Sequence, residues 1–217
     1  MELGGLDRLL EVCQRLELGL RTSPPARAPL KAGRLLEGVP FDPVLANVYA
    51  RLGHAIFATK SICLALDPYT DESHDLEKTN KRWREKWWEA LGAPVSIFGG
   101  DVYAYATVPG IADEQGRQPV VMVDTYEYEP QVMPIASNVD RFFDTLSRYL
   151  ELKVTEPGYQ ASGRTDVSFP WDAVELLARD ERLVELMRAG RFEPLMKHAG
   201  DDLRRWAAKV MGTSVRS

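Results

Sequence analysis

The side chains able to take part in acid–base or metal chemistry are scattered along the chain. The three histidines, His54, His74 and His198, lie in separate segments, and none has a second histidine at metal-site spacing. The sequence contains no HExxH motif, no GxSxG motif and no phosphate-binding loop. We therefore predict no enzyme activity and no catalytic, cofactor or metal site. The alternative is an enzyme assembled from distant residues, for which Asp101, Asp124 and His54 are the candidates.

A glycine pair, in Phe98-Gly99-Gly100-Asp101, begins like the GGD motif of diguanylate cyclases. Val102 and Tyr103 follow at the positions where that motif has Glu and Phe. The segment is instead typical of a glycine-rich β-turn between two strands. We therefore assign this turn no catalytic role.

Tyrosines and carboxylates alternate along two segments that are predicted to be strands. The candidate partner-binding residues in these segments are Asp101, Tyr103, Tyr105, Tyr126, Glu127, Tyr128 and Glu129. Because side chains alternate between the faces of a sheet, residues two apart in each segment are expected on one face. The pattern suits a solvated edge that discourages aggregation, and it also suits an acidic, tyrosine-bearing surface that binds a protein.

The segment 75–91 is charged but carries three tryptophans in a helical pattern. Trp83 and Trp87 are one helical turn apart, so they are predicted to anchor the helix on the sheet. Trp88 cannot share that face. It is either packed sideways or exposed, and an exposed tryptophan is a good interface anchor, so Trp88 joins the candidate partner-binding residues.

Composition limits the class of protein. The chain has 217 residues, of which 45% are hydrophobic, which is enough for one good core. No apolar run approaches the roughly 20 residues of a membrane span, so we predict no membrane partner. The net charge of −5 argues against direct binding of nucleic acid. Two cysteines without CxxC spacing and an acidic N-terminus predict a reduced, cytoplasmic protein.

The hydrophobic periodicity predicts helices and strands in a definite order. Helices are expected at 4–20, from 43 to about 52, at 75–91, from Ser137 to 150, and at 170–179, 180–189 and 200–211. Strands are expected at 54–58, 61–66, 94–98, 101–108, 118–124 and 127–135. Asp42 is the predicted cap of the second helix and Ser137 that of the helix after the last strand.

This order predicts the α+β class, with helices segregated from an antiparallel sheet. We expect a sheet of about five to six strands with helices packed on one side, plus N- and C-terminal helical additions. Residues 1–34 would form an N-terminal helix and a Pro-rich linker. Residues 35–152 would form the α+β domain, and residues 153–217 a helical extension packed on it.

Three segments within residues 35–152 resemble the SUKH superfamily. FDPVLANVYARLG, preceded by Val39-Pro40, resembles the first helix of that family. WWEALGAPVSIFGGDVYAYA resembles its central hairpin, and PVVMVDTYEYEPQVMPIASNVDRFFDTLSRYL resembles its C-terminal strand and helix. The chain departs from the family at Gly53-His54, where Asn-Gly-Gly is usual, and at Ser137-Asn138-Val139, where Ser-Phe is usual. The helical tail has no counterpart in the family.

The resemblance implies a bacterial immunity protein without enzyme activity. Such a protein binds a cognate toxin domain, often a nuclease, and neutralises it by stoichiometric occlusion. An acidic face would steer a basic toxin towards it, and tyrosine anchors would slow its release. The alternative within the same resemblance is a regulatory or scaffold module that binds several proteins and has no toxin partner.

Overall fold

A computed structural model describes residues 2–25, 28, 30–60, 64–66, 75–100, 102–126, 129–161 and 168–212. The helices in these ranges are α1 (Gly4–Arg15), α2 (Pro43–Arg51), α3 (Leu76–Lys86), α4 (Trp88–Leu91), α5 (Val139–Thr155), α6 (Pro157–Ala161), α7 (Val174–Leu177), α8 (Glu181–Arg188) and α9 (Asp201–Val210). The strands are β1 (Leu20–Ser23), β2 (Leu35–Leu36), β3 (Val39–Pro40), β4 (His54–Phe57), β5 (Leu64–Leu66), β6 (Ser96–Gly100), β7 (Ala104–Thr107), β8 (Val120–Asp124) and β9 (Gln131–Ala136).

Seven of the strands form one antiparallel sheet in the order β1-β4-β5-β6-β7-β8-β9. From β4 onwards each strand pairs with the next one along the chain, so the sheet is a meander with β1 added at its first edge. Strands β2 and β3 form a separate small hairpin. The predicted α+β class with an antiparallel sheet is therefore confirmed, and the main sheet has seven strands rather than five or six.

Helix α5 is the centre of the core on one face of the sheet. The Phe142 ring lies 5.9 Å from the Phe98 ring of β6 and 5.0 Å from the Tyr105 ring of β7. Phe143 packs on Phe57 of β4, with ring centroids 6.1 Å apart. Helix α1 lies along α5 on the same side. One apolar stripe of α5 thus spans the sheet from β4 to β7, as the predicted 3.6-residue pattern requires.

The C-terminal helices pack on the same body. The ring of Phe169 lies 6.4 Å from that of Phe142, and α8 contacts β9. Met122 pairs with Tyr105, so the neighbouring Val121 and Val123 point to the opposite face of the sheet, where both are also buried.

Across the described ranges, no helix combines the length and the apolar character needed to cross a membrane.

Several element boundaries differ from the predictions. Residues 20–23, predicted as the end of the first helix and the start of a linker, form strand β1. Asn138, not Ser137, caps α5, because its side chain accepts the Arg141 N–H at 3.0 Å. The predicted helix 170–179 is helical only at Val174–Leu177. Asp42 caps α2 as predicted, accepting the N–H groups of Val44 and Leu45.

Candidate functional site

A cleft of about 400 Å³ lies between α3 and the β6–β7 hairpin, and we call it the aromatic cleft. Helix α3 contributes Thr79, Arg82 and Trp83 to one wall. The sheet and the two neighbouring hairpin tips contribute the remaining lining: Ala65, Ile97, Gly99, Gly100, Val102, Tyr103, Ala104 and Thr125. The cleft therefore has a floor of small side chains and walls that carry aromatic rings.

The glycines of the floor are required by close backbone contacts. A β-carbon at Gly99 would lie 2.4 Å from the carbonyl oxygen of Ala65 on the neighbouring strand β5. A β-carbon at Gly100 would lie 2.1 Å from the carbonyl oxygen of Tyr103. Such distances are far inside van der Waals contact, so only glycine fits at either position. The glycine pair thus has a structural role at the end of β6, at the hairpin predicted from the sequence.

The side chain of Asn80 attaches α3 to the edge of β6. Ile97 pairs with Ala106 of β7 on one side, and the described residues of β5 pair with β6 at Gly99 and Gly100, so no described strand lies on the other side of Ile97. Asn80 Oδ1 accepts the Ile97 N–H at 2.8 Å, and Asn80 Nδ2 donates to the Ile97 carbonyl at 2.7 Å. The buried Asn80 amide therefore satisfies the backbone groups of Ile97 that a neighbouring strand would otherwise bind, and it fixes the position of α3 relative to β6.

One face of α3 continues beyond the cleft as a shallow depression of about 280 Å³. Thr79, Arg82, Trp83, Lys86 and Trp87 line it at helical spacing. The rings of Trp83 and Trp87 are 6.1 Å apart, and Lys86 Nζ lies 4.6 Å from the Trp87 ring. This face of the helix is both aromatic and cationic.

The tips of two hairpins meet at the other end of the cleft. Tyr103 precedes β7 and Tyr126 follows β8, and their rings pack edge to face with centroids 6.4 Å apart. The side chain of Tyr126 is 75% exposed and that of Val102 is 57% exposed. Asp124 Oδ1 accepts the Tyr126 N–H at 2.9 Å and so holds the second tip in a turn.

The structure brings two of the predicted partner-binding residues, Tyr103 and Tyr126, together at this surface. The prediction that Tyr105 is exposed beside Tyr103 is wrong, because Tyr105 is 6% exposed and its ring lies on Phe142. Burial raises the pKa of the Tyr105 hydroxyl. The predicted strand 101–108 begins only at Ala104, so the two-residue alternation does not extend back to Tyr103.

The remaining predicted residues have different positions. Glu129 is exposed and its carboxylate lies 2.9 Å from His198 Nδ1, outside the cleft lining. Trp88 is half-buried, and its Nε1 donates to the Val95 carbonyl at 3.1 Å, so it is packed sideways. Asp101, Glu127 and Tyr128 lie outside the described residues.

Sequence reasoning assigned Trp83 and Trp87 to the core and did not consider Arg82 as a site residue. Both tryptophans pack against the core, yet both are half-buried and face the depression on α3. The available signal was the spacing of Arg82 and Lys86 among the tryptophans. That spacing puts two cations on the same helical face as the rings, which a purely internal face would not carry.

Of the candidate catalytic residues, His54 and Asp124 do not meet, and Asp101 lies outside the described residues. His54 lies on β4 and Asp124 on β8, which are four strand spacings apart, or about 19 Å. Among the described residues, no three His, Cys, Asp or Glu side chains are grouped as a metal site. Burial raises the pKa of the Cys13 thiol to about 11, which leaves it a poor nucleophile. The second cysteine, Cys63, lies outside the described ranges.

The arrangement is therefore suited to binding. An open cleft with aromatic walls and exposed tyrosine offers rigid contact area, and its described lining includes no carboxylate or histidine for proton transfer.

Comparison of the chain with protein-family models, with curated proteins and with solved structures finds no match.

Proposed function

We propose that this protein is an immunity protein, which binds a bacterial toxin domain and blocks it by stoichiometric occlusion. The observation that carries the proposal is the pair of meeting hairpin tips, where Tyr103 and Tyr126 pack edge to face beside an open cleft. Because Tyr126 is mostly exposed, its ring adds little buried apolar area to the fold. Exposed aromatic residues grouped beside a groove are typical of protein-binding surfaces.

Two further features support the proposal. Residues 35–152 resemble the SUKH superfamily, many of whose bacterial members are immunity proteins. Among the described residues, the five exposed large hydrophobic side chains include both Val102 and Tyr126, which belong to adjoining tips of this one surface. A partner that covers the tips would remove both from water and would gain the apolar burial that stabilises most complexes.

The test is a binding measurement with the protein encoded by the gene next to that of this chain. The C-terminal domain of that neighbouring protein is titrated into this protein in a calorimeter. We expect it to bind with one-to-one stoichiometry and to lose its toxicity on binding. Tyr126→Ala is expected to weaken binding by about tenfold or more, because truncation of a central interface anchor costs about 2 kcal/mol or more and tenfold corresponds to about 1.4 kcal/mol.

Leu152→Ala is the matched control for this substitution. Leu152 lies on α5 and is 56% exposed, and it does not line the cleft. Its truncation is expected to leave the affinity within about twofold of the wild-type value. Equal affinity of the Tyr126→Ala and wild-type proteins would remove the hairpin tips from the interface. Several unrelated partners, none of them toxic, would favour a scaffold module.

A further inference from the structure

We propose that the aromatic cleft receives an acidic segment of the partner protein. Carboxylates of that segment pair with Arg82 and Lys86, and its apolar side chains lie between Trp83 and Tyr103. This inference rests on the proposed function and names the chemistry of the partner at that surface.

The charges that line the cleft carry the inference. Arg82 lines both the cleft and the adjoining depression, and Lys86 lines the depression. The described residues that line these two hollows include no carboxylate. The ion pairs of the described residues include neither Arg82 nor Lys86, whereas Arg84 on another face of the same helix pairs with Glu37. Arg82 and Lys86 are both exposed and accessible to an incoming anion.

The aromatic rings indicate that the partner segment also carries apolar side chains beside its carboxylates. Trp83 and Trp87 lie among the cations on one face of α3, and Tyr103 stands across the floor from them. The floor of Gly99, Gly100 and Ala104 leaves room for side chains between these walls. A segment in which carboxylates alternate with apolar residues can form ion pairs with the cations and pack its apolar side chains on the rings.

The charge of the whole chain favours a protein segment over a nucleic acid. Two lining cations against a net charge of −5 neutralise few phosphates, whereas nucleic-acid binding depends on many such contacts. A few carboxylates on a short segment need no more than the two cations of the cleft and the adjoining depression. For the cleft we therefore propose an acidic partner segment, in place of the basic partner that the acidic residues suggested in the sequence.

The test uses a fluorescein-labelled peptide of glutamate and leucine residues separated by glycine, with anisotropy as the readout. The peptide is expected to bind the wild-type protein saturably and to quench or shift its tryptophan fluorescence. Arg82→Glu is expected to weaken this binding by at least about tenfold. Lys81→Glu is the control, because Lys81 is an equally exposed cation of α3 that does not line either hollow.

The same two variants are titrated with the C-terminal domain encoded by the neighbouring gene. Weaker binding by Arg82→Glu alone, with competition by the peptide, supports the inference. If the domain binds the wild type, Arg82→Glu and Lys81→Glu equally, the inference is overturned and the proposed function stands. If the peptide binds in an Arg82-dependent way but the domain does not bind, the proposed function fails and the cleft chemistry stands. Equal effects of both variants on peptide binding, or tighter binding of a single-stranded DNA oligonucleotide, overturn the inference.

Discussion

Two buried polar side chains, Asn80 and Asp42, join separate segments of the chain through backbone hydrogen bonds. Asn80 completes the edge of β6, and Asp42 joins the start of α2 to the loop before β8. The Asp42 carboxylate accepts the N–H groups of Val44 and Leu45 at 2.8 Å and that of Gln118 at 2.7 Å. The capping role of Asp42 was predictable from Asp-Pro at a helix start, whereas the contact with Gln118, 76 residues away, was not.

Burial of the Asp42 carboxylate predicts a measurable pH dependence of stability. Burial raises its pKa from 3.8 to about 6, against the lowering effect of the three N–H donors. A raised carboxyl pKa means that the folded state binds the proton more tightly, so the stability from this group is complete below pH 3.8 and is lost as the pH rises through 6. The free energy of unfolding of the wild type relative to Asp42→Asn should fall by about 2 kcal/mol between pH 4 and pH 7.

Urea unfolding of both proteins, followed by tryptophan fluorescence across this range, measures that difference. The comparison with Asp42→Asn cancels the contributions of the other titrating groups. A difference that is constant with pH would show that the three N–H donors outweigh burial and hold the carboxylate ionised.

The sequence predicted the exposure of a side chain correctly in a turn, at Tyr126, and wrongly where the strand register decides, at Tyr105. Tyr126 follows an acidic turn that any hairpin would expose, and it is exposed. Tyr105 was misplaced because the alternation was counted through the β6–β7 turn, and Gly100 pairs with Ala104 across that turn. Hydrophobic alternation fixes a face only within one strand, so an error of two or three residues in a strand start changes the assignment.

At the scale of elements, α1 and α5 make the tightest contact between helices. A β-carbon at Gly5 would lie 1.9 Å from the carbonyl oxygen of Asp140, which shows how close the two backbones are. The Asp140 carboxylate accepts the N–H groups of Gly5 and Leu6 at 3.0 and 3.2 Å, so α5 supplies the cap that α1 lacks in its own sequence. Neither contact is visible in the sequence, which predicts a helix from residue 4 but does not indicate what packs against it.

The close contact predicts opposite effects of alanine at two adjacent glycines. Gly5→Ala must separate the helices and is expected to destabilise the protein by about 1–3 kcal/mol. Gly4→Ala meets nothing within 4 Å and is expected to be neutral or stabilising by about 0.5 kcal/mol, since alanine favours the helix. Thermal and urea unfolding of the two variants measure the contrast. Equal stability of the two would mean that α1 does not dock on α5 as described.

The positions of the long helices were predictable for a physical reason, although two of their ends were misplaced. A helix buries a stripe that repeats along several turns, so α8 and α9 lie within one residue of their predicted ranges, whereas α1 ends five residues early and α5 continues five residues further. Strand β1 pairs only with β4, along an edge of the sheet, and only one of its four residues is partly buried. With so little apolar pattern, and with prolines following, it resembles a linker in sequence.

At the scale of the whole molecule, the C-terminal helices are integrated with the sheet. Tyr149 of α5 donates to Asp172 at 3.1 Å and accepts the Ser168 N–H at 3.0 Å, and Asp180 accepts the Ser137 N–H at 2.7 Å. These contacts tie the last segment to α5 and to the end of β9. The aromatic cleft lies away from them, between α3 and the β6–β7 hairpin, and is left open to a partner.

The measurement that tests the central claim most directly is hydrogen–deuterium exchange of the protein alone and with the C-terminal domain encoded by the neighbouring gene. We expect slower exchange on binding around Val102–Tyr103, around Tyr126 and along α3, with no change along α1. Protection confined to α1 or to the C-terminal helices, with unchanged exchange at both hairpin tips, would contradict the assignment of this surface as the binding site.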